Sequence, residues 1–230
     1  MEEKKNETKV TNSFDLTSVI INCLMFLIAV IMKPITSIKE KIKEYSDVKT
    51  AGILVVVVSL IRMIINLIGS MISAVITRKV TNYWTGESKL SITFSNLKNL
   101  DYLSLIFKQF FGFILVVLIV AGIYYVVAML MKKSINYFKV ASITSVSFIT
   151  YIIITSFVSV IISYIYSPLN LFLMFGSLIY SFITFVLALN EEIDFKNNNF
   201  KVYFHAICLT VVVIITYYVF KDSFSILNLL

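Results

Sequence analysis

Turn-forming and charged residues are scarce in this chain. The 230 residues include only 2 Pro and 6 Gly, and charged side chains make up 14% of the total. Hydrophobic side chains make up 59%, and the mean hydropathy is +0.91. This balance excludes an ordinary soluble domain, in which about 25% of residues are charged. The composition predicts an all-α polytopic membrane protein, a bundle of transmembrane helices whose backbone groups are satisfied within each helix.

Histidine and cysteine are rarer still, with His205 as the single histidine and Cys23 and Cys208 as the two cysteines. Both cysteines lie inside apolar runs, which excludes the disulfide framework of a small secreted domain. His205 and Cys208 share a helix face, but structural zinc needs four ligands and catalytic zinc three. The chain also lacks a glycine-rich phosphate loop and a nucleophile elbow. We therefore predict no metal site, no cofactor and no enzymatic activity.

Five apolar runs are long enough to cross the ~30 Å hydrocarbon core of a bilayer. They comprise residues 51–77, 110–131, 140–166, 171–189 and 202–220, within a bundle assigned to residues 51–230. An earlier run, residues 16–32, is at the lower limit for a span. We predict a membrane-embedded half-helix there, with a sixth span as the alternative. Residues 1–15 are polar and too few to bury a core, which predicts a disordered tail.

A lysine-rich stretch, residues 35–49, connects this run to the first predicted span. A helix through the stretch has one apolar face and several basic residues that point elsewhere. The apolar face consists of Ile35, Ile38, Ile42 and Tyr45, and the basic residues include Lys39, Lys41 and Lys43. The pattern predicts an amphipathic surface helix, in which the isoleucine face inserts shallowly and the lysines contact anionic lipid headgroups.

The distribution of lysine and arginine predicts the orientation in the membrane. The net charge of +7 does not indicate nucleic-acid binding, because the basic residues lie in short loops beside apolar runs. If residues 16–32 do not cross, most of these charges lie on the side of the N-terminal tail, whereas six spans would nearly balance them. Five spans with a cytoplasmic N-terminus are therefore favoured. The abundance of Lys, Ile, Asn, Phe and Tyr suggests an AT-rich bacterial coding sequence and hence a bacterial cytoplasmic membrane.

Arg62 lies inside the first predicted span, about 16 Å along the helix from Ala51 at 1.5 Å per residue. Polar and small residues recur around it at steps of three and four, which places them on one helix face. They are Ser59, Arg62, Asn66, Gly69, Ser70, Ser73 and Thr77. Membrane helices associate through such residues, so this face is predicted to contact protein. The serines of residues 140–166 and 171–189 form similar stripes, and the three stripes are expected to meet inside the bundle.

An arginine at this depth is costly without a partner and is therefore a functional candidate by default. No Asp or Glu lies within any of the apolar runs. The predicted partners of Arg62 are thus backbone carbonyls, tyrosine hydroxyls of neighbouring spans or a lipid phosphate. Arg62 and Asn66 are predicted to contact a lipid or a protein partner.

The connections carry two further predictions. Residues 78–101 form a long polar segment, read as a loop that Tyr83 and Trp84 anchor at the membrane interface. Ser167-Pro168-Leu169-Asn170 is expected to form a tight hairpin between the third and fourth spans.

The order of segments resembles the Yip-type family of small membrane proteins. The nearest likenesses are KPITSIKEKIKEYSD, with KP ahead of an amphipathic helix, and NYFKVASITSVSFITYIIIT, which opens the third span. The resemblance implies a cytoplasmic N-terminal tail and five closely spaced spans without a catalytic motif, while the long segment 78–101 departs from the pattern. The predicted function is therefore to bind lipids or protein partners in the membrane, a second copy included. The rival reading is a transporter or permease subunit with Arg62 and Asn66 in a polar cavity.

Overall fold

The computed structural model describes residues 15–80, 88–193, 195 and 198–225, and this part of the chain is almost entirely helical. The α-helices are α1 (Leu16–Met32), α2 (Pro34–Lys41), α3 (Val48–Val75), α4 (Tyr102–Leu130), α5 (Tyr137–Ser147), α6 (Ile149–Ile153), α7 (Ser159–Ile165), α8 (Ser167–Asn190) and α9 (Asn198–Ser225). Two strands, β1 (Ile76–Val80) and β2 (Ser88–Ile92), lie between α3 and α4. Short 3₁₀ helices at Ile42–Tyr45 and Phe94–Asn99 and a π-helical turn at Ile154–Val158 complete the described elements.

Five helices in the described residues are long and apolar enough to span a membrane, which confirms the predicted all-α polytopic bundle. They are Val48–Val75, Tyr102–Leu130, Tyr137–Ile165, Pro168–Asn190 and Asn199–Val219. The fourth and fifth agree closely with the predicted runs. The second begins at Tyr102 instead of residue 110, because Asp101 caps it by accepting a hydrogen bond from the Ser104 backbone N–H at 3.1 Å. Whether α1 crosses the membrane stays a prediction.

The segment after α3 is a β-hairpin and not the predicted polar loop. The helix ends at Val75, two residues before the predicted bound of about residue 77. The chain turns to an extended conformation at Ile76, and β1 pairs with β2 in antiparallel register from Ile76 opposite Ile92 to Val80 opposite Ser88. Three of the five β1 residues, Ile76, Thr77 and Val80, are β-branched, which favours the extended conformation. Tyr83 and Trp84, the predicted interfacial anchors, lie outside the described residues, as does the predicted disordered tail before Asp15.

The hairpin and the following 3₁₀ helix close the end of α3. The backbone N–H of Thr93 donates to the Val75 carbonyl at 2.8 Å, and the Asn96 amide donates to the Ala74 carbonyl at 3.0 Å. These bonds satisfy carbonyls that the last turn of a helix leaves free. We refer to the end of the bundle that contains Val75 and Tyr102 as the hairpin end.

The third span is broken, although the sequence predicted one continuous helix over residues 140–166. It turns at Phe148 and widens into the π-helical turn before α7. The Thr155 hydroxyl donates to the Tyr151 carbonyl at 2.7 Å, which competes with the helical hydrogen-bond pattern at this point. The first part of this span is the centre of the bundle, because every residue from 140 to 147 is buried and α5 contacts α3, α4 and α8.

The polar stripes face the bundle interior over most of their length, as predicted, but Ser73 and Thr77 at the end of the α3 stripe are exposed. Ser59 and Gly69 are buried on α3, and the buried residues of the other two stripes are Ser142, Ser145, Ser156, Ser159, Ser177, Ser181 and Thr184. The predicted tight hairpin at residues 167–170 was wrong. Tyr166 alone is extended between α7 and α8, and Pro168 belongs to the first turn of α8, where its missing N–H costs nothing.

The lysine-rich stretch differs from the prediction in shape and in environment. It consists of α2 and the 3₁₀ helix Ile42–Tyr45, and not of one helix over residues 35–49. Ile38 and Ile42 are each only 1% exposed, because this face packs against the bundle. The Tyr45 ring stacks on Phe26 at 5.1 Å between centroids, and the Ser142 hydroxyl donates to the Tyr45 carbonyl at 2.7 Å. Shallow insertion of the isoleucine face into lipid was therefore a wrong prediction.

Candidate functional site

The N-terminal end of α3 is fixed by Asp47, which sets the position of the helix that carries Arg62. The Asp47 carboxylate accepts hydrogen bonds from the backbone N–H groups of Lys49 at 2.9 Å and Thr50 at 3.2 Å. The Thr50 hydroxyl also donates to it, and these bonds hold the pKa of Asp47 below its ordinary value. The cap thus fixes the start of α3 at Val48.

Arg62 lies in the middle of α3, about 21 Å from Val48 and about 20 Å from Val75 at 1.5 Å per residue. Its guanidinium carbon lies 5.2 Å from the centroid of the Phe113 ring on α4. Among the described residues, the ion pairs are Lys39 with Glu191 and Lys139 with Glu192, so no described carboxylate pairs with Arg62. A cation–π contact contributes about 0.5–2 kcal/mol. Because it is made with the face of the ring, it does not use the N–H donors of the guanidinium, which can still bind an anion.

A groove of about 900 Å³ opens on one side of Arg62, between α3 and α4. Its polar lining consists of Arg62, Lys108 and Gln109. Its apolar lining includes Phe107, Phe111, Leu115 and Leu118, which are all exposed and recur at steps of three and four along α4. In a membrane-spanning helix such a stripe contacts lipid, so the groove is open toward the hydrocarbon of the bilayer.

A more enclosed cavity of about 270 Å³ lies on the other side of Arg62. The polar side chains that line it are Arg62, Asn66, Thr144, Tyr151, Thr155 and Ser156. The Asn66 amide nitrogen donates to the Arg62 carbonyl at 3.0 Å, and Thr144 donates to the Val140 carbonyl at 2.8 Å. The Thr144 proton is thus used on a backbone carbonyl, while Asn66 keeps a second amide N–H and its side-chain oxygen, and Arg62 is the cationic donor of the cavity.

Arg62 and Asn66 thus line one cavity, as the rival reading required, while the three candidate lysines lie elsewhere. Lys39, Lys41 and Lys43 precede Val48 and belong to the opposite end of α3 from the hairpin. Lys39 pairs with Glu191 at 2.8 Å, with side chains 44% and 53% exposed, whereas Lys41 is half-buried and Lys43 is exposed. The lysines are therefore a second, separate candidate surface.

Several residues of the site could not be found from sequence. Phe113 contacts Arg62 through its ring face, and an aromatic residue in an apolar run carries no pattern that distinguishes it from its neighbours. The sequence predicted a tyrosine hydroxyl of a neighbouring span near Arg62 but did not single out Tyr151. Lys139 and Glu192 form a second ion pair with side chains only 14% and 20% exposed, and their proximity depends on how α5 and α8 pack.

His205, the single histidine, belongs to a hydrogen-bonded group between α4, α8 and α9. Its Nε2 atom lies 3.0 Å from the Asn190 side-chain oxygen, and its Nδ1 atom lies 3.4 Å from the Tyr124 hydroxyl. Cys208 is fully buried one turn away. The described residues contain no group of three or more His, Cys, Asp and Glu side chains that could hold a metal ion. Both ring nitrogens of His205 thus have partners within the protein.

Comparison with known proteins gives a match to a protein family. A family model described as Yip1 domain matches residues 17–219, which includes all five candidate spans. Neither the curated proteins nor the solved structures yield a match to this chain.

Proposed function

The chain belongs to the Yip1 domain family, as its segment order predicted, and we propose that it acts by binding an anionic lipid between α3 and α4. It is an integral membrane protein with five candidate spans. The observation that carries the proposal is Arg62, a mid-helix cation without a described carboxylate partner that lines a groove open to lipid. A charge at this depth is costly, and a bound counter-charge lowers that cost.

The groove has the composition of a lipid site. Lys108 lies about 9 Å along α4 from Tyr102, near the hairpin end, and Arg62 reaches the same groove from the middle of α3. A phosphate headgroup between these two cations attracts both, and the acyl chains then lie along Phe111, Leu115 and Leu118. The groove volume of about 900 Å³ is within the usual range for ligand sites.

The exposed lysines at the other end of the bundle add a second, weaker contact with anionic lipid. Lysines near an anionic leaflet contribute about 1 kcal/mol each through electrostatic attraction. Lys43 can contact lipid headgroups because it is exposed, whereas the ammonium group of Lys39 pairs with Glu191. In the proposed orientation this end and the N-terminus are cytoplasmic, and the hairpin end faces outward.

A transporter or permease subunit is the second candidate function. The observation that favours it is the enclosed cavity, in which Arg62 and Asn66 share a polar lining with Tyr151, Thr155 and Ser156 in the middle of the bundle. Polar groups at this depth are typical of substrate sites in transporters. In this function the guanidinium holds a transported anion and not a resident lipid.

Lipid analysis of purified protein tests the proposal. We expect the wild-type protein, extracted in mild detergent, to retain anionic phospholipid, and Arg62→Gln and Lys108→Gln each to lose most of it. Lys98→Gln is the matched control, because Lys98 is an exposed lysine at the same end of the bundle outside the groove. Equal anionic lipid in all four proteins, at equal monodispersity, contradicts the proposal.

A further inference from the structure

Three cavities are joined in series through the residues that line them. The lipid-facing groove and the enclosed cavity share Arg62 and Val116. The enclosed cavity shares Asn66, Thr155 and Ser156 with a third cavity of about 380 Å³. The third cavity is also lined by Ser70, Ser73, Ala74 and Leu100, so it reaches the hairpin end of the bundle. A series of adjoining cavities therefore extends from the hairpin end to Arg62.

The route is polar along one side of α3. Ser73 is exposed, and Ser70, Asn66 and Arg62 follow it toward the middle of the helix as half-buried residues. The distance from Ser73 to Arg62 along the helix is about 16 Å. The enclosed cavity of about 270 Å³ has room for several water molecules, and the six polar side chains in its otherwise apolar lining supply the partners that buried water needs. The route is thus large enough and polar enough to be hydrated.

The junction between the enclosed cavity and the third cavity coincides with the π-helical turn. Thr155 and Ser156 belong to that turn and face Asn66 across the junction. Gly69 packs against the Ser156 carbonyl beside it, which fixes the separation of the two helices there. π-Helical turns of this kind frequently occur at functional sites.

We propose that the enclosed cavity and the third cavity form a water-filled vestibule, open at the hairpin end, that admits small water-soluble anions to Arg62. The ligand class is a small oxyanion, such as phosphate or sulfate. Arg62 is the single cation among the described residues that line the two cavities, and no described lining residue is acidic. A charge in a narrow space with low-dielectric walls concentrates counter-ions strongly. The vestibule shares Arg62 with the proposed lipid site but does not require a lipid in the groove.

Thiol modification of single cysteines tests the vestibule. The native Cys23 and Cys208 are both 0% exposed, so the wild-type protein serves as the background. Asn66→Cys, Ser70→Cys and Ser73→Cys are each treated with an anionic sulfonatoethyl and a cationic trimethylammonioethyl methanethiosulfonate, added to either side of the membrane. Leu60→Cys is the control, because Leu60 is exposed on α3 but lines none of the three cavities.

We expect all three vestibule cysteines to react from the hairpin side and Leu60→Cys not to react. Each modification rate is divided by the rate of the same reagent with free thiol. The resulting ratio of anionic to cationic reagent should be about tenfold or more higher for Asn66→Cys than for Ser73→Cys. Adding Arg62→Gln to Asn66→Cys should remove this preference. If both Asn66→Cys and Ser70→Cys stay unmodified in correctly inserted, monodisperse protein, or show no anion preference, the vestibule is wrong.

The lipid content of the same preparations separates this proposal from the lipid site. Bound anionic lipid with an unreactive Asn66→Cys overturns the vestibule and leaves the lipid site intact. An anion preference at Asn66→Cys without bound lipid supports the vestibule and contradicts the lipid site.

Discussion

Gly69 packs so closely against the carbonyl oxygen of Ser156 that a Cβ atom at this position would overlap it. The two residues therefore bring the backbones of α3 and the π-helical turn into direct contact. Such close approach is how membrane helices pack without help from the hydrophobic effect, because small residues let dispersion contacts form along the backbones. The contact lies beside the junction of the enclosed cavity and the third cavity, so it also determines the width of the proposed vestibule.

Gly69→Ala should destabilise the protein. The added methyl group cannot fit against a backbone oxygen, so α3 and the π-helical turn must move apart, at a cost of about 1–3 kcal/mol. The measurement is thermal unfolding in detergent together with abundance in the membrane. Gly52→Ala is the control, because nothing lies within 4 Å of a Cβ at Gly52. Equal stability of the two variants contradicts the close contact.

The two lysine–glutamate pairs should differ in their contribution to stability. Lys39 and Glu191 are about half exposed, and such pairs contribute about 0–1 kcal/mol. Lys139 and Glu192 are much less exposed, so Lys139→Ala leaves a half-buried carboxylate unpaired, at a cost of up to about 3 kcal/mol. Unfolding measurements on both single variants give the comparison, and double variants with the glutamates replaced isolate each pair. A larger effect of Lys39→Ala contradicts this ranking.

The five spans and the inward direction of the polar stripes could be predicted from sequence, because hydropathy and a 3.6-residue period depend on local pattern alone. The hairpin could not. Ile76 and Thr77 continue the apolar run of α3, but both pair with residues of β2 and are extended. The close contact between Gly69 and the Ser156 carbonyl likewise depends on how two distant segments pack, which no local pattern reveals.

The candidate site was predictable in part. Arg62 and Asn66 stand out because polar residues in an apolar run are rare, and the structure places both in one cavity. The position of Phe113 depends on the rotation of α4 about its axis, and the pattern of α4 does not specify that rotation because apolar residues surround it on every side. The isoleucine face of residues 35–49 was recognised, but its environment was predicted wrongly. An amphipathic pattern does not show whether the apolar face packs against lipid or against the rest of the protein.

The orientation is open to direct measurement. In the proposed topology, Ser91→Cys on the hairpin should be labelled by an impermeant maleimide in intact cells, and Lys43→Cys only after permeabilisation. Both residues are exposed. Thr17→Cys then distinguishes the two readings of α1: labelling from the same side as Lys43→Cys indicates a half-helix, and labelling from the opposite side indicates a sixth span. Labelling of Ser91→Cys and Lys43→Cys from one side rejects the five-span topology.

Substitution of Arg62 separates the two candidate functions. A lipid phosphate in the open groove needs a positive charge nearby, and the flexible ammonium group of lysine supplies one by snorkelling. If the protein binds lipid, Arg62→Lys should retain bound lipid and complement a deletion strain, whereas Arg62→Leu should insert normally but lose both. The readouts are lipid content and growth or stress phenotype, compared at matched membrane abundance because a misfolded variant fails for trivial reasons.

If the protein is a transport subunit, Arg62→Lys should abolish function as completely as Arg62→Leu does. An anion in the enclosed cavity is held by the planar, bidentate guanidinium, which lysine cannot reproduce. The Phe113 ring adds a second reason, since a guanidinium stacks on an aromatic face in a way that an ammonium group does not. Phe113→Leu keeps the apolar volume and removes this ring, so it should impair transport but leave lipid retention unchanged. Full complementation by Arg62→Leu contradicts both functions and leaves Arg62 only a place in the packing stripe of α3.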